Sequence, residues 1–178
     1  MRGRKRTMSS PLEPTDRSAR VTEATAADAQ ALAALYAEAL PPGWPAHELA
    51  AACADKNRII LKASSASHLH GFIVLQFAAD EAEVLALAVA KAWRRMGYAA
   101  SLLQAAIRAC QRRFISCIYL EVAESNEPAL KLYEKIGFVE TGRRENYYRS
   151  PSFGPQAAIL MRRDAKLPAP VDPEKSCP

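Results

Sequence analysis

The chain has 178 residues, 49% apolar and 24% charged, enough for one domain with a substantial core. Its longest uncharged apolar stretch, Val84 to Ala90, is far too short to span a bilayer, and the basic start (Arg2, Arg4, Lys5, Arg6) leads into no apolar signal-peptide core, so a soluble, cytoplasmic protein without a membrane partner is expected. Four of the charges behind the net +5 lie in that start, and a short basic start is too common to argue for direct nucleic-acid binding.

Residues 1–18 mix charge, Ser and Pro without periodicity, and residues 165–178 carry four prolines. Neither end can bury enough apolar surface to offset ordering, which predicts a disordered basic tail, a domain over 19–164 and a Pro-rich disordered tail. A strand near Arg20 to Glu23 leads to Thr25-Ala26-Ala27-Asp28, which has capping-box spacing, and Leu32, Leu35, Tyr36 and Leu40 then recur at helical spacing. Pro41-Pro42-Gly43 must stop that helix, and Pro45 suits the first turn of a second one through Ala54.

Strand-like runs follow at Arg58 to Ala63, Gly71 to Ala78 and Glu81 to Val89, the last two close enough to form a hairpin. Between Gly97 and Phe114, the residues Leu103, Ile107, Cys110 and Phe114 share one face of a long amphipathic helix. Cys117 to Val122 is predicted as a buried strand. Asn126 to Ile136 is predicted as a helix closed by the C′ residue Gly137, and strands from Phe138 to about Tyr148 and from Ala157 to Arg162 complete the chain. The order β-α-α-β-β-β-α-β-α-β-β predicts an α/β domain on a mixed sheet.

The cysteines Cys53, Cys110, Cys117 and Cys177 form no C-x-x-C pair; Cys110 and Cys117 lie in apolar runs, as buried free thiols do, and a reducing compartment fits. His68 and His70 would share one face of a strand, and with no third ligand they are expected to be surface or turn histidines; no metal is expected.

The turn Arg94-Arg95-Met96-Gly97-Tyr98-Ala99 joins the strand ending at Val89 to the long helix. A helix N-terminus offers unpaired N–H groups and partial positive charge; Gly97 and Ala99 remove bulk where phosphates must approach, and Arg94 and Arg95 add cations. Taken alone this is a candidate phosphate site, and equally a solvated edge that happens to start a helix.

The string R-R-M-G-Y-A matches the [QR]-x-x-G-x-[GA] signature of the GCN5-related N-acetyltransferase (GNAT) superfamily, and the chain resembles that superfamily across most of residues 20–163. The resemblance is closest to the ribosomal-protein alanine N-acetyltransferases, through Y-L-E-V-A-E-S-N-E-P-A-L-K-L-Y-E-K-I-G-F at Tyr119 to Phe138 and R-R-E-N-Y-Y at Arg143 to Tyr148. It implies the acyl-CoA N-acyltransferase fold: a mostly antiparallel mixed sheet of about seven strands with four helices, splayed between strands 4 and 5.

It also implies acetyl-CoA as co-substrate, with Leu87, Ala88 and Val89 lending backbone groups to the pantetheine arm. Arg94, Arg95, Met96, Gly97, Tyr98, Ala99 and Ala100 would surround the pyrophosphate, and Asn126 would contact the cofactor while capping its helix. Glu121 aligns with the general base and Tyr133 with the general acid. The pairing makes chemical sense, because attack on a thioester needs a neutral amine and the leaving thiolate gains from a proton donor. Without the resemblance, Glu121 is a solvated strand-end carboxylate and Tyr133 a core-edge aromatic.

Trp44 falls near the family's peptide groove, where it lines the groove or anchors the loop, and Tyr147 and Tyr148 belong to the same substrate side. Three positions depart from the family pattern: Ala90-Lys91 replaces an acidic residue and proline, Ala99 replaces the second glycine, and the segment Gly154 to Ala158 lacks the usual acidic residue. The implied partner is a protein N-terminus, foremost the N-terminal alanine of a small-subunit ribosomal protein. The alternatives are a small-molecule amine such as an amino acid, polyamine or antibiotic, and a non-catalytic RNA- or ribosome-binding module on the same scaffold.

Overall fold

A computed structural model describes residues 19–150 and 154–165; both predicted tails lie outside the described residues, apart from Ala165. The Thr25 N–H donates to Asp28 Oδ2 at 2.8 Å, the reciprocal half of the expected capping box. A single 3-10 turn, Ala26–Asp28, leads from there into α1 (Ala29–Ala39), and α2 (Ala46–Ala54) follows Pro45.

Seven strands form one sheet: β1 (Arg20–Glu23), β2 (Arg58–Ser64), β3 (Leu69–Ala78), β4 (Glu81–Val89), β5 (Cys117–Ala123), β6 (Val139–Ser150) and β7 (Gly154–Asp164). Their order is β1-β2-β3-β4-β5-β7-β6, and every neighbouring pair is antiparallel except β4 with β5. With α3 (Tyr98–Arg112) and α4 (Glu127–Ile136) this is the predicted mixed, mostly antiparallel seven-stranded, four-helix architecture.

The helices divide between the two faces. Leu32, Leu35, Tyr36 and Leu49 of α1 and α2 pack on Ile60, Phe72, Val74, Ala86 and Ala88. On the other face, Leu102, Leu103 and Ile107 of α3 and Tyr133 of α4 pack on Ile73, Leu75, Val84, Leu120 and Val122. Fully burying each large aliphatic side chain contributes about 1.5–3 kcal/mol, so both layers hold the sheet firmly.

Strand β4 changes face partway. Leu75 stands opposite Val84 and Val74 opposite Ala86, leaving Leu85 as an extra residue in a β-bulge. Ala82 and Val84 therefore point to the α3 layer, whereas Ala86 and Ala88 point to the α1/α2 layer. Pairing of β4 with β5 runs only from Glu81↔Cys117 to Val84↔Leu120, so the strands part where the bulge begins. The added twist of a bulge turns the rest of β4 away from β5 and opens the sheet.

Gly71 holds the far edge of this segment. A Cβ there would meet the Ala88 carbonyl oxygen at 2.6 Å and Val89 Cγ2 at 3.1 Å. Because the first obstacle is backbone, Gly71→Ala is expected to destabilise the fold by about 1–3 kcal/mol, measured by urea unfolding.

Three expectations need correction. Phe114 is 90% exposed: α3 ends at Arg112, Phe114 adopts φ 57°, and the reversed chain puts buried Ile115 in its place. His70 is fully buried, its ring stacked on Trp93 at 4.0 Å. Cys117 is half-buried and accepts from Arg162 Nη2 at 2.8 Å, while Cys110 is buried as expected and burial pushes its thiol up to about 11.

Candidate active site

The opened edge of β4 is a set of backbone groups in search of partners. The Ala90 N–H donates to the His70 carbonyl at 2.9 Å, so by antiparallel alternation Ala88 bonds towards β3 while Leu87 and Val89 direct their N–H and C=O groups to the gap. The Val89 carbonyl accepts from Arg94 Nε at 3.1 Å, which ties the next turn to the strand end.

A 3-10 turn over Lys91–Trp93 leads into that turn, where Arg95 (φ 63°) and Gly97 (φ 86°) are both left-handed. Gly97 is the N-cap of α3, and the first helical bond runs from the Ser101 N–H to the Gly97 carbonyl at 3.0 Å. No side chain caps this end and no acidic residue lies in its first turn, so its N–H groups and dipole are left to an outside anion. A Cβ on Gly97 would meet nothing within 4 Å. Beneath the turn, Trp93 is wedged between the His70 ring and the edge of Tyr98. A pyrophosphate fits this cradle: open space, a bare helix end and two exposed arginines.

A cleft of about 910 Å³ runs from this cradle into the gap. Leu87, Ala88 and Val89 form one wall, the turn residues Arg94, Arg95, Gly97, Tyr98, Ala99 and Ala100 the mouth, and Asn126 and Tyr133 the facing side. Asn126 also accepts from the Ala129 N–H at 3.3 Å, capping α4 as the sequence suggested. Met96, 40% exposed, stands on the turn outside the cleft wall. Leu40 and Trp93, which the sequence reading assigned to no site, also line it. The signal for Leu40 was its place as the last apolar residue of the α1 pattern, directly before Pro41-Pro42.

Glu121 and Tyr133 stand on opposite faces of the sheet. Along β5, Leu120 and Val122 enter the α3/α4 core beside Tyr133, so Glu121 projects from the other face. Tyr133 is 7% exposed, its ring edge-on to Phe138 at 5.8 Å. Glu121 does not line the cleft; its Oε1 lies 2.9 Å from Arg144 Nη1. Arg144 in turn lies over the Tyr147 ring at 5.5 Å. Tyr148 sits in β6 opposite Gln156. Trp44 stacks on Tyr36 at 5.7 Å with Arg58 over its ring, on the α1/α2 side of the sheet.

Residues 29–138 match the family model described as the acetyltransferase (GNAT) family. The chain is 40% identical over 101 residues to the [ribosomal protein bS18]-alanine N-acetyltransferase of Haemophilus ducreyi, covering 57% of this chain and 70% of that one. Among solved structures, the crystal structure of the ribosomal-protein-S18-alanine N-acetyltransferase from Escherichia coli superposes with TM-score 0.77 at 25% identity, over 84% of this chain and 96% of that one. Arabidopsis thaliana NAA60 in complex with acetyl-CoA shares the fold, with TM-score 0.71 at 16% identity over 82% of this chain and 98% of that one.

Proposed function

We propose, since the chain belongs to the acetyltransferase (GNAT) family and is an acetyl-CoA-dependent N-acetyltransferase, that its acceptor is the α-amine of a protein N-terminus, foremost the N-terminal alanine of ribosomal protein bS18. The observation that carries the proposal is the opening between β4 and β5, which has the bare α3 N-terminus at its mouth on one side and Glu121 on the opposite face. The likeness to bS18-alanine N-acetyltransferases favours the ribosomal acceptor.

Bound acetyl-CoA supplies an acetyl group activated as a thioester. Gly97, Tyr98 and Ala99 hold the pyrophosphate through backbone N–H groups, with Arg94 and Arg95 supplying charge. Leu87 and Val89 pair with the pantetheine amides as a neighbouring strand would. Glu121 takes one proton from the acceptor ammonium, and the freed lone pair makes the C–N bond as the C–S bond breaks. Tyr133 gives its hydroxyl proton to the departing sulfur, and the second nitrogen proton returns to Tyr133 through solvent. Trp44 and Tyr147 stand on the acceptor side, and the family resemblance adds Tyr148 to them.

The test is CoA release across Ala-, Ser-, Met- and Gly-initiated peptides, with free amino acids and a polyamine alongside. The Ala-initiated peptide is expected to exceed the Met-initiated one by about 10-fold or more in kcat/KM, because a site selective for alanine must reject each added methylene. Turnover on small amines with none on peptides would overturn the proposal.

A further inference from the structure

We infer that Arg144 is a positioning residue for the acceptor side: it clamps the Glu121 carboxylate by one oxygen and leaves the other to take the amine proton. This rests on the assignment of Glu121 as base. Among the described residues, Arg144 is the partner that reaches this carboxylate, with Nη1 at 2.9 Å from Oε1. A base needs its acceptor oxygen fixed to within about 0.5 Å, and this ion pair supplies such a restraint.

The sheet register builds the clamp. Glu121 stands opposite Leu160 and Arg144 opposite Ala158, so both project from one face with β7 between them, a span that an arginine can bridge. Between Arg144 and Tyr148, β6 holds Glu145, Asn146 and Tyr147 where β7 holds Ala157 alone. Asn146 adopts φ 57°, and this excursion carries Tyr147 over the guanidinium at 5.5 Å. A cation held against an aromatic face is restrained in position, and arginine keeps its charge throughout the working pH range.

The neighbouring Arg143 has carboxylates of its own, pairing with Glu124 and, at 3.0 Å, with Glu145. The two arginines are therefore not interchangeable. Arg143 holds Glu124, whose Oε1 also accepts the Ala157 N–H at 3.1 Å and so fastens β7, whereas Arg144 holds Glu121, the proposed base.

The experiment measures kcat and KM on an Ala-initiated peptide for Arg144→Ala, Arg144→Lys, Glu121→Gln and the Arg144→Ala/Glu121→Gln double variant. Arg144→Ala is expected to lower kcat about 10- to 100-fold with KM for acetyl-CoA unchanged, as misplacement of a reacting group does. Arg144→Lys should recover part of the loss, and the double variant should be no slower than Glu121→Gln, since both act through one carboxylate. Wild-type or faster turnover in Arg144→Ala beside a slow Glu121→Gln overturns the role of Arg144 alone, as does additive slowing in the double variant. Wild-type turnover in Glu121→Gln overturns the base assignment, and this role with it.

Discussion

Glu121→Gln is expected to reduce kcat about 10²- to 10⁴-fold while Kd for CoA stays within about 2-fold, because the substitution removes a proton acceptor and keeps the shape of the side chain. CoA affinity should be spared for a geometric reason: Glu121 stands on the face opposite the α3/α4 layer and does not line the cleft where the donor is proposed to lie. Tyr133→Phe is the companion variant. Its ring is buried against Phe138, so removal of the hydroxyl leaves the ring packing in place. Rapid-quench turnover and calorimetric CoA titration together check the pair. Wild-type rates in both would remove the proposed chemistry.

The second large effect is expected at the turn. Gly97→Glu should weaken CoA binding about 10²- to 10³-fold, with a melting temperature only a few degrees below wild type. Open space around the Gly97 position lets the fold accept a side chain, so the affinity loss is one of charge. A carboxylate about 4 Å from a phosphate costs about 4 kcal/mol at an effective dielectric of about 20. Holding a non-glycine residue at φ 86° costs the fold about 1–2 kcal/mol, which Gly97→Asn would largely avoid, since Asn tolerates the left-handed region. The ranking Gly97 tighter than Asn tighter than Glu, read by calorimetry, separates strain from repulsion.

Much of the fold was legible because its signals are local. The amphipathic period of α3, the Gly137 C′ stop after α4 and the Thr25–Asp28 cap each lie within a few residues, and each appears in the structure with small shifts at the ends. β7 starts earlier than Ala157 because Gly154 to Gln156 pair with β6, and Pro155 lies beyond the pairing with β5, where no N–H is needed on that side. What was not legible depends on a partner strand. β4 reads as one continuous strand-like run, and only its register with β3 reveals that Leu85 is extra and that the two halves face opposite layers. The burial of His70 depends on Trp93, 23 residues away, and the Arg144–Glu121 pair exists because β7 inserts between the strands that carry it. For the candidate site, the turn offered a candidate phosphate cradle in its own residues, whereas the proposed roles of Glu121 and Tyr133 came through family resemblance, since neither side chain has a local signature.

The bulge at Leu85 does more than widen a gap. It converts the sheet into a partition with a slot, the donor cleft opening on one side and Glu121 standing on the other. With the proposed roles, traffic of the two substrates is separated in space: spent CoA can leave and fresh donor arrive without the acceptor being moved. An N-terminus anchored to something far larger than this enzyme can thus be served from one side, and the bulk behind that N-terminus never meets the doorway used by the cofactor.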